Sequence, residues 1–419
     1  MSDEDLHLRE IFERVAETLD GFGPFEASPH LAVAVSGGAD SLGLMLLCDA
    51  WAQSRGARLT VLTVDHGLRP EAAAEAGYVA QAALALGHAH VTLRVGWALG
   101  DADLEAAARA ARYELLTAWC RQAGVLHLLT GHSRDDQAET VLLRLLRGSG
   151  LDGLAAMAPL RLVDGVRLLR PVLEIAREDL LRLVLDAGLA PVADPMNQDD
   201  RFQRVSTRRA MATLELTAGR LADTASRLRR DREAVAVAVR HLAVDALRLS
   251  PWGEGTIVRA ALAGQPAPIV ERVLARLITA VGGGQYAPRR DRLARLAEIL
   301  ADTGEAFPGG TLGACRFLAG RERVTVLREA RWLGPDLPLG AGELGLWDGR
   351  FEVQAGPRPV TVRALGAHQA QGMPRLSPPR RAVMPAIFDA AGLIAVPALD
   401  FGDPTAANVR YRAAQVISA

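Results

Sequence analysis

Across 419 residues the chain carries 48 basic and 49 acidic side chains, a net charge of −1 and an apolar fraction of 49%. It can fill more than one core, and no global field marks it as a nucleic-acid binder, so any RNA contact must be a local patch. Every basic residue is an arginine, which excludes Schiff-base chemistry, lysyl-adenylate ligation and any phosphate loop ending in Gly-Lys-Ser/Thr. Cys48, Cys120 and Cys315 are too scattered for a zinc, cluster or redox pair. The acidic N-terminus and the lack of an apolar run of about 18 residues point to a soluble, cytoplasmic protein without a membrane span.

In chain order, residues 6–19 read as an amphipathic helix with no chemistry. Leu31 to Val35 is a continuous apolar run, as a central parallel strand requires, and Leu42 to Leu47 continues as a helix packed on it. Between them lies Ser36-Gly37-Gly38-Ala39-Asp40-Ser41. Two glycines let the backbone approach a ligand, and the helix that follows places positive potential at its N-terminus, so the loop is suited to an anion.

A second strand, Arg58 to Val64, ends in Asp65-His66-Gly67-Leu68-Arg69-Pro70. Polar residues at such a carboxyl end are where open parallel sheets bind ligands. Helical 71–87, a strand at 90–95, helical 103–124 and a strand at 125–130 complete a βα alternation that predicts a doubly wound α/β sheet. The last of these strands delivers Gly131-His132-Ser133-Arg134-Asp135-Asp136-Gln137-Ala138-Glu139-Thr140. Acidic residues here would serve as ordinary helix caps. Two adjacent aspartates behind a histidine, across from Asp40, equally fit a magnesium site or a seat for a substrate ammonium.

Arg144 to Leu154 passes from a helix end through Gly148-Ser149-Gly150, with Arg147 ahead of the loop as a phosphate or RNA clamp. Proline and aspartate between Ala190 and Asp200 mark a linker. Residues 201–240 hold ten arginines against four acidic residues, a composition suited to phosphate contact or to a solvated helix face. Arg289, Arg290, Arg292 and Arg295 form a second basic helix, and beyond Phe307-Pro308-Gly309-Gly310 short β-like runs alternate with glycine and proline. Three domains are expected: 1–200 catalytic, 201–306 helical, and 307–419 small and mixed α/β.

Ser36 to Ser41 after a strand resembles the PP-loop of ATP pyrophosphatases. Together with Val64 to Arg69, Ala108-Arg109-Ala110-Ala111-Arg112-Tyr113, Gly131 to Thr140, Arg147 to Leu154, Arg170-Pro171 and Asp194-Pro195-Met196-Asn197, it resembles the tRNA(Ile)-lysidine synthetase family over roughly the first half of the chain. The resemblance implies a fold of the adenine-nucleotide α-hydrolase kind. It also implies a ligase that uses ATP and Mg2+ to adenylate O2 of the first anticodon cytidine in a CAU-bearing isoleucine tRNA, after which the ε-amine of free L-lysine displaces AMP. On that likeness Ser36, Gly37, Gly38, Ala39, Asp40, Ser41, Asp65 and His66 bind ATP, and Asp40 with Asp136 holds magnesium or orients lysine. Asp135 serves the same end, Arg112 (with Arg109 as the lesser candidate) and Arg208 stabilise the transferring phosphate, and His132 handles a proton. Arg147, Arg204, Arg208 and Arg209 meet tRNA. A homodimer is allowed for, with no residue to carry it.

Departures accompany the likeness. Ser133-Arg134 replaces a His-Ala pair, Met196 stands for serine, and Val205 for asparagine in Arg204-Val205-Ser206-Thr207-Arg208. Two competing readings are another PP-loop enzyme, such as a tRNA thiolase or an amide-forming NAD synthetase, and a silent RNA-binding relative. A thiolase would need differently placed cysteines, and a silent relative would be expected to have a damaged Asp40 or Asp136.

Overall fold

The strand His30–Ala34 (β1) is apolar on both sides because both sides are covered. Leu31 and Val33 join a core made with the helices Asp3–Gly21 (α1), Ala39–Arg55 (α2) and Ala72–Ala85 (α3), while Ala32 turns to the helix Leu104–Gln122 (α4) on the other face. In the computed structural model residues 3–67, 71–95, 104–192, 203–284, 287–368 and 370–412 are described. Contacts divide the chain into two compact units, Met1–Arg232 and Glu233–Ala419.

In the first unit β1 pairs in parallel with Arg58–Asp65 (β2) and with His127–Thr130 (β4); β2 continues to Ala89–Arg94 (β3). On the far side β4 is followed by Val166–Leu169 (β6), parallel to it, and by the antiparallel edge strand Leu160–Val163 (β5). The order β3-β2-β1-β4-β6-β5 reverses direction between β1 and β4, and the carboxyl ends at that switch are where such sheets open a crevice. Helix Arg134–Leu146 (α5) leaves β4, Leu151–Leu154 (α6) follows, and Arg177–Asp186 (α7) packs on α2 through Leu180, which Gly43 lets approach closely. Helices Gln203–Thr213 (α8) and Ala218–Ala246 (α9) follow. The expected strands of the first 150 residues match within about two residues per end and the expected helices are present, with α1 starting three residues earlier and α2 running eight residues beyond Leu47, whereas the β5–β6 hairpin and α7 have no counterpart in the expectations. The hairpin turn uses Asp164 and Gly165, both at positive φ, as tight antiparallel turns demand.

The second unit opens with Leu247–Leu249 (β7) and Gly255–Val258 (β8), the short helix Arg259–Leu262 (α10), and helices Ala267–Gly282 (α11) and Arg290–Ala301 (α12). Gly310–Leu312 (β9), Cys315–Phe317 (β10) and Arg323–Arg328 (β11) complete the antiparallel sheet β7-β8-β11-β10-β9. The expected boundary at 306 therefore runs through a sheet whose core is shared with α11 and α12. Arg259, nearly fully buried, donates to the carbonyls of Ile299 and Leu300 at the end of α12.

Leu337–Leu339 (β12), Leu344–Trp347 (β13), Phe351–Ala355 (β14), Val360–Ala364 (β15), the turn of helix Pro378–Arg381 (α13), Pro385–Asp389 (β16), Gly392–Val396 (β17), Phe401–Gly402 (β18) and Ala407–Tyr411 (β19) finish the chain. They form two antiparallel sheets, β12-β15-β16-β17-β18 and β13-β14-β19, which share a core around Trp347, Phe351, Val362 and Ile387. Among the described residues no helix is long and apolar enough to cross a membrane.

Candidate active site

The phosphate loop is shaped by its own serines. Ser41 Oγ accepts from the Ser36 amide at 3.1 Å and donates to the Gly38 carbonyl at 3.0 Å, closing the turn from inside. Gly38 is the N-cap of α2 and no side chain caps it, so the first helical amides remain available to an anion. Gly37 takes φ +88°, and a Cβ there would also press on Val192.

The end of β4 is held against this loop. A Cβ on Gly131 would fall 2.7 Å from the Asp40 carbonyl oxygen, so glycine is required for the two segments to touch. His132 follows, buried, its Nδ1 3.0 Å from Thr130 Oγ1. Burial drives its pKa down to about 3 against the opposing pull of Asp136, which makes the ring a neutral imidazole at physiological pH.

Ser133, one of the departures from the family pattern, caps α5 in a reciprocal box: its amide donates to Asp136 Oδ2 at 3.0 Å, and its hydroxyl receives the amide of Asp136. Its Oγ also lies 3.4 Å from Asp40 Oδ2 and from Asp136 Oδ2. Asp136 thus caps the helix and lines the cavity at once.

Arg177, at the first position of α7, joins the acidic residues. Nε lies 3.1 Å from Asp40 Oδ2, Nη2 3.2 Å from Asp136 Oδ1 and Nη1 3.7 Å from Glu139 Oε1, while its backbone amide donates to Asp135 Oδ2 at 2.9 Å. Arg208 Nε meets the same Glu139 oxygen at 2.5 Å. Asp40 Oδ1 and Glu139 Oε2 are buried without a hydrogen-bond partner among the described residues. Among the described residues, the carboxyls of Asp40, Asp135, Asp136 and Glu139 outnumber the guanidiniums of Arg177 and Arg208 that touch them. Burial raises the pKa of Asp40, Arg177 opposes the rise, and Asp136 adds to it.

On the opposite wall Arg109 and Arg112 lie 5.3 and 5.7 Å from the centre of the Tyr113 ring. His66 is held below its ordinary pKa by burial and then by Arg112. These walls enclose a cavity of about 730 Å3 at the carboxyl edge of β1, β2 and β4, in the size range of nucleotide and cofactor sites.

Of the expected residues, Ser36, Gly38, Ala39, Asp40, Ser41, His66, Arg112, His132, Asp136 and Arg208 line this cavity. Gly37 shapes the loop from behind. Asp65 turns away: its Oδ1 accepts the Gly67 amide at 2.9 Å, closing its own turn. Asp135 anchors the start of α7. Arg147 is exposed at the far end of α5, about 20 Å along the helix from His132 by its rise per residue. Arg209 is exposed on α8. The Arg204 side chain and the Asp194–Asn197 motif lie outside the described residues, as does Arg69.

Sequence reasoning passed over Arg177, although its position is a signal. An arginine in the first turn of a helix opposes the macrodipole, and such a placement asks for carboxylate partners.

A nucleotide-sized cavity at the switch point, an uncapped phosphate loop and a carboxylate set beside it define an ATP-using enzyme of the PP-loop class, and residues 8–215 match the PP-loop domain family. The chain is 39% identical over 389 residues to the tRNA(Ile)-lysidine synthase of Ruegeria pomeroyi, covering 89% of this chain and 90% of that one. It is 44% identical over 307 residues to the protein of the same name from a Bradyrhizobium species, covering 69% and 86%. The chain belongs to the tRNA(Ile)-lysidine synthase family.

Proposed function

We propose that this chain joins free L-lysine to C2 of the first anticodon cytidine in CAU-bearing tRNA(Ile), consuming ATP and releasing AMP and pyrophosphate. The observation that carries the reading is the meeting of opposite fields in one cavity. An amide-lined loop suited to polyphosphate adjoins a partly buried, carboxylate-rich set, suited to an alkylammonium. In the first step cytidine O2 attacks the α-phosphorus, the α–β bridge breaks and the loop retains pyrophosphate. Arg112 faces the charge that develops. In the second step lysine sheds an ammonium proton to solvent water, its amine forms the C2–N bond, and the C2–O bond to AMP breaks. His132 is too weak a base in this state to store that proton, and we assign the neutral ring to hydrogen bonding with the cytidine edge.

Magnesium fits at Asp40, whose buried Oδ1 is bare and of the hard-oxygen kind the ion prefers. Bound there, the ion would neutralise polyphosphate charge. Asp136 could join it only after Arg177 releases Oδ1. The exposed arginines Arg147 and Arg209, with Arg204 and the segments 201–306 and 307–419, are assigned to the tRNA body. A thiolase reading is disfavoured because no cysteine lines the cavity among the described residues.

The test is incubation with ATP, magnesium, labelled lysine and either unmodified tRNA(Ile) or the methionine tRNA with the same anticodon. Label should enter the first alone, with about one AMP per lysine. AMP formation without label, or equal labelling of both tRNAs, would overturn the reading.

A further inference from the structure

Arg177 is the one cation that touches Asp40, Asp136 and Glu139 at once among the described residues. Burial works against its charge, but Asp40, Asp136 and Glu139 outweigh that penalty and hold the guanidinium above the ordinary arginine value. It stands where an incoming ammonium would need to stand. As long as it remains, Asp136 Oδ1 is taken, and Glu139 Oε1 is shared between two arginines.

The backbone and the side chain of this residue are anchored differently. The Arg177 amide is fixed by Asp135 Oδ2, whereas the side chain is about a third exposed at the cavity rim and turns about several single bonds. The neighbouring ligand is a polyanion. Asp40 belongs both to the phosphate loop and to the acidic set, so a triphosphate bound on the loop lies beside the carboxylates that Arg177 serves. A movable guanidinium between two anionic bodies is drawn toward the newcomer.

We propose that Arg177 is a positioning residue that transfers its guanidinium from the acidic set to the phosphates when ATP binds, thereby opening the seat for the lysine ammonium. The inference rests on lysine as the amine substrate. It makes nucleotide and amine binding cooperative through one side chain, and by linkage the effect is reciprocal.

Calorimetry of lysine binding to the full chain, at fixed magnesium, with and without an ATP analogue whose α–β bridge is methylene, tests the exchange. In the wild type the analogue should tighten lysine binding about tenfold, a typical coupling. In Arg177→Gln, lysine should bind without nucleotide about as tightly as the wild type does with it, and the analogue should change that affinity by less than about twofold. Wild-type coupling retained in Arg177→Gln, or uniformly weaker lysine binding at unchanged coupling, would overturn the exchange and leave Arg177 a structural tie. Arg177→Lys guards against misfolding: its single ammonium cannot span three carboxylates, so coupling should fall while the melting temperature holds. If the wild type binds no lysine in any state, with tRNA also present, the functional reading itself is overturned, and that outcome is distinct from lost coupling.

Discussion

Two buried charge clusters, one in each unit, are built on opposite principles. In the second unit a single carboxylate, Asp348, serves two arginines. Its Oδ1 accepts from the Gly334 amide at 2.8 Å and Arg328 Nη2 at 3.1 Å, its Oδ2 from Arg350 Nε at 2.7 Å, and Arg350 Nη1 reaches the Val281 carbonyl at 3.1 Å. Both oxygens are taken, and the side chains of Asp348 and Arg350 are 1% and 2% exposed. In the first unit, among the described residues, four carboxylates meet two arginines, with oxygens of Asp40 and Glu139 left bare. A carboxylate whose two oxygens are both taken, away from solvent, holds a fold together, even with Arg328 Nε and Arg350 Nη2 short of hydrogen-bond partners among the described residues. A carboxylate-rich set with open acceptors at a cavity costs stability and is kept for a ligand.

The contrast breaks most visibly at Asp40. Asp40→Asn should lower the rate of tRNA-dependent AMP formation by about a thousandfold, about 4 kcal/mol of barrier. Its unfolding free energy should stay within about 1 kcal/mol of the wild type, because a buried charge is being removed. A urea titration beside the rate assay checks both halves, and a large loss of stability would place Asp40 with the structural cluster. Asp348→Asn reverses the pattern. Asparagine tolerates the positive φ of this position, 52°, but leaves two guanidiniums without their counter-charge, and the second unit should lose about 3 kcal/mol. Trp347 fluorescence would report that transition, and AMP formation by folded protein should stay within about threefold.

The smallest effect is one of pH. The pKa of His132 is near 3 folded against about 6.5 unfolded, so the unfolded chain takes up the proton first as pH falls. Stability is undiminished above about pH 6.5 and declines toward pH 3, by roughly 2 kcal/mol between pH 7 and pH 5 from this residue. His132→Gln should flatten the first unit's stability profile by that amount in denaturant titrations at the two pH values. An unchanged profile would mean that the ring is wet and charged.

What was legible from sequence follows the same divide. Leu31 to Val35 and Ser36 to Ser41 could be read because a strand covered on both faces and a glycine turn into a helix are local patterns. Asp136 was legible for its adjacency to Asp135 and to a strand end. Arg177 was not, because its meaning lies in partners 137 and 41 residues away along the chain. Arginine counting had the same limit in the second unit. Arg380 is one more arginine by composition, yet it makes two bonds to Glu254, at 2.8 and 2.7 Å. Composition counts charges, but only the fold says which are already spoken for. The β5–β6 hairpin was legible and passed over: Leu160-Arg161-Leu162-Val163 and Val166-Arg167-Leu168-Leu169 flank Asp164-Gly165, a two-residue signal for a tight hairpin.

Gly131 bears on how this enzyme could be re-engineered. With no side chain between the end of β4 and the Asp40 carbonyl, the nucleotide loop and the acidic helix abut through bare backbone. They are not separable cassettes. A graft of residues 31–41 into another parallel sheet would bring the anion cradle but not the wall that faces it, unless the neighbouring strand also ends in glycine at the same level. Chimeras within the fold should therefore be cut outside the span from β1 to α5, so that both sides of that backbone contact come from one parent.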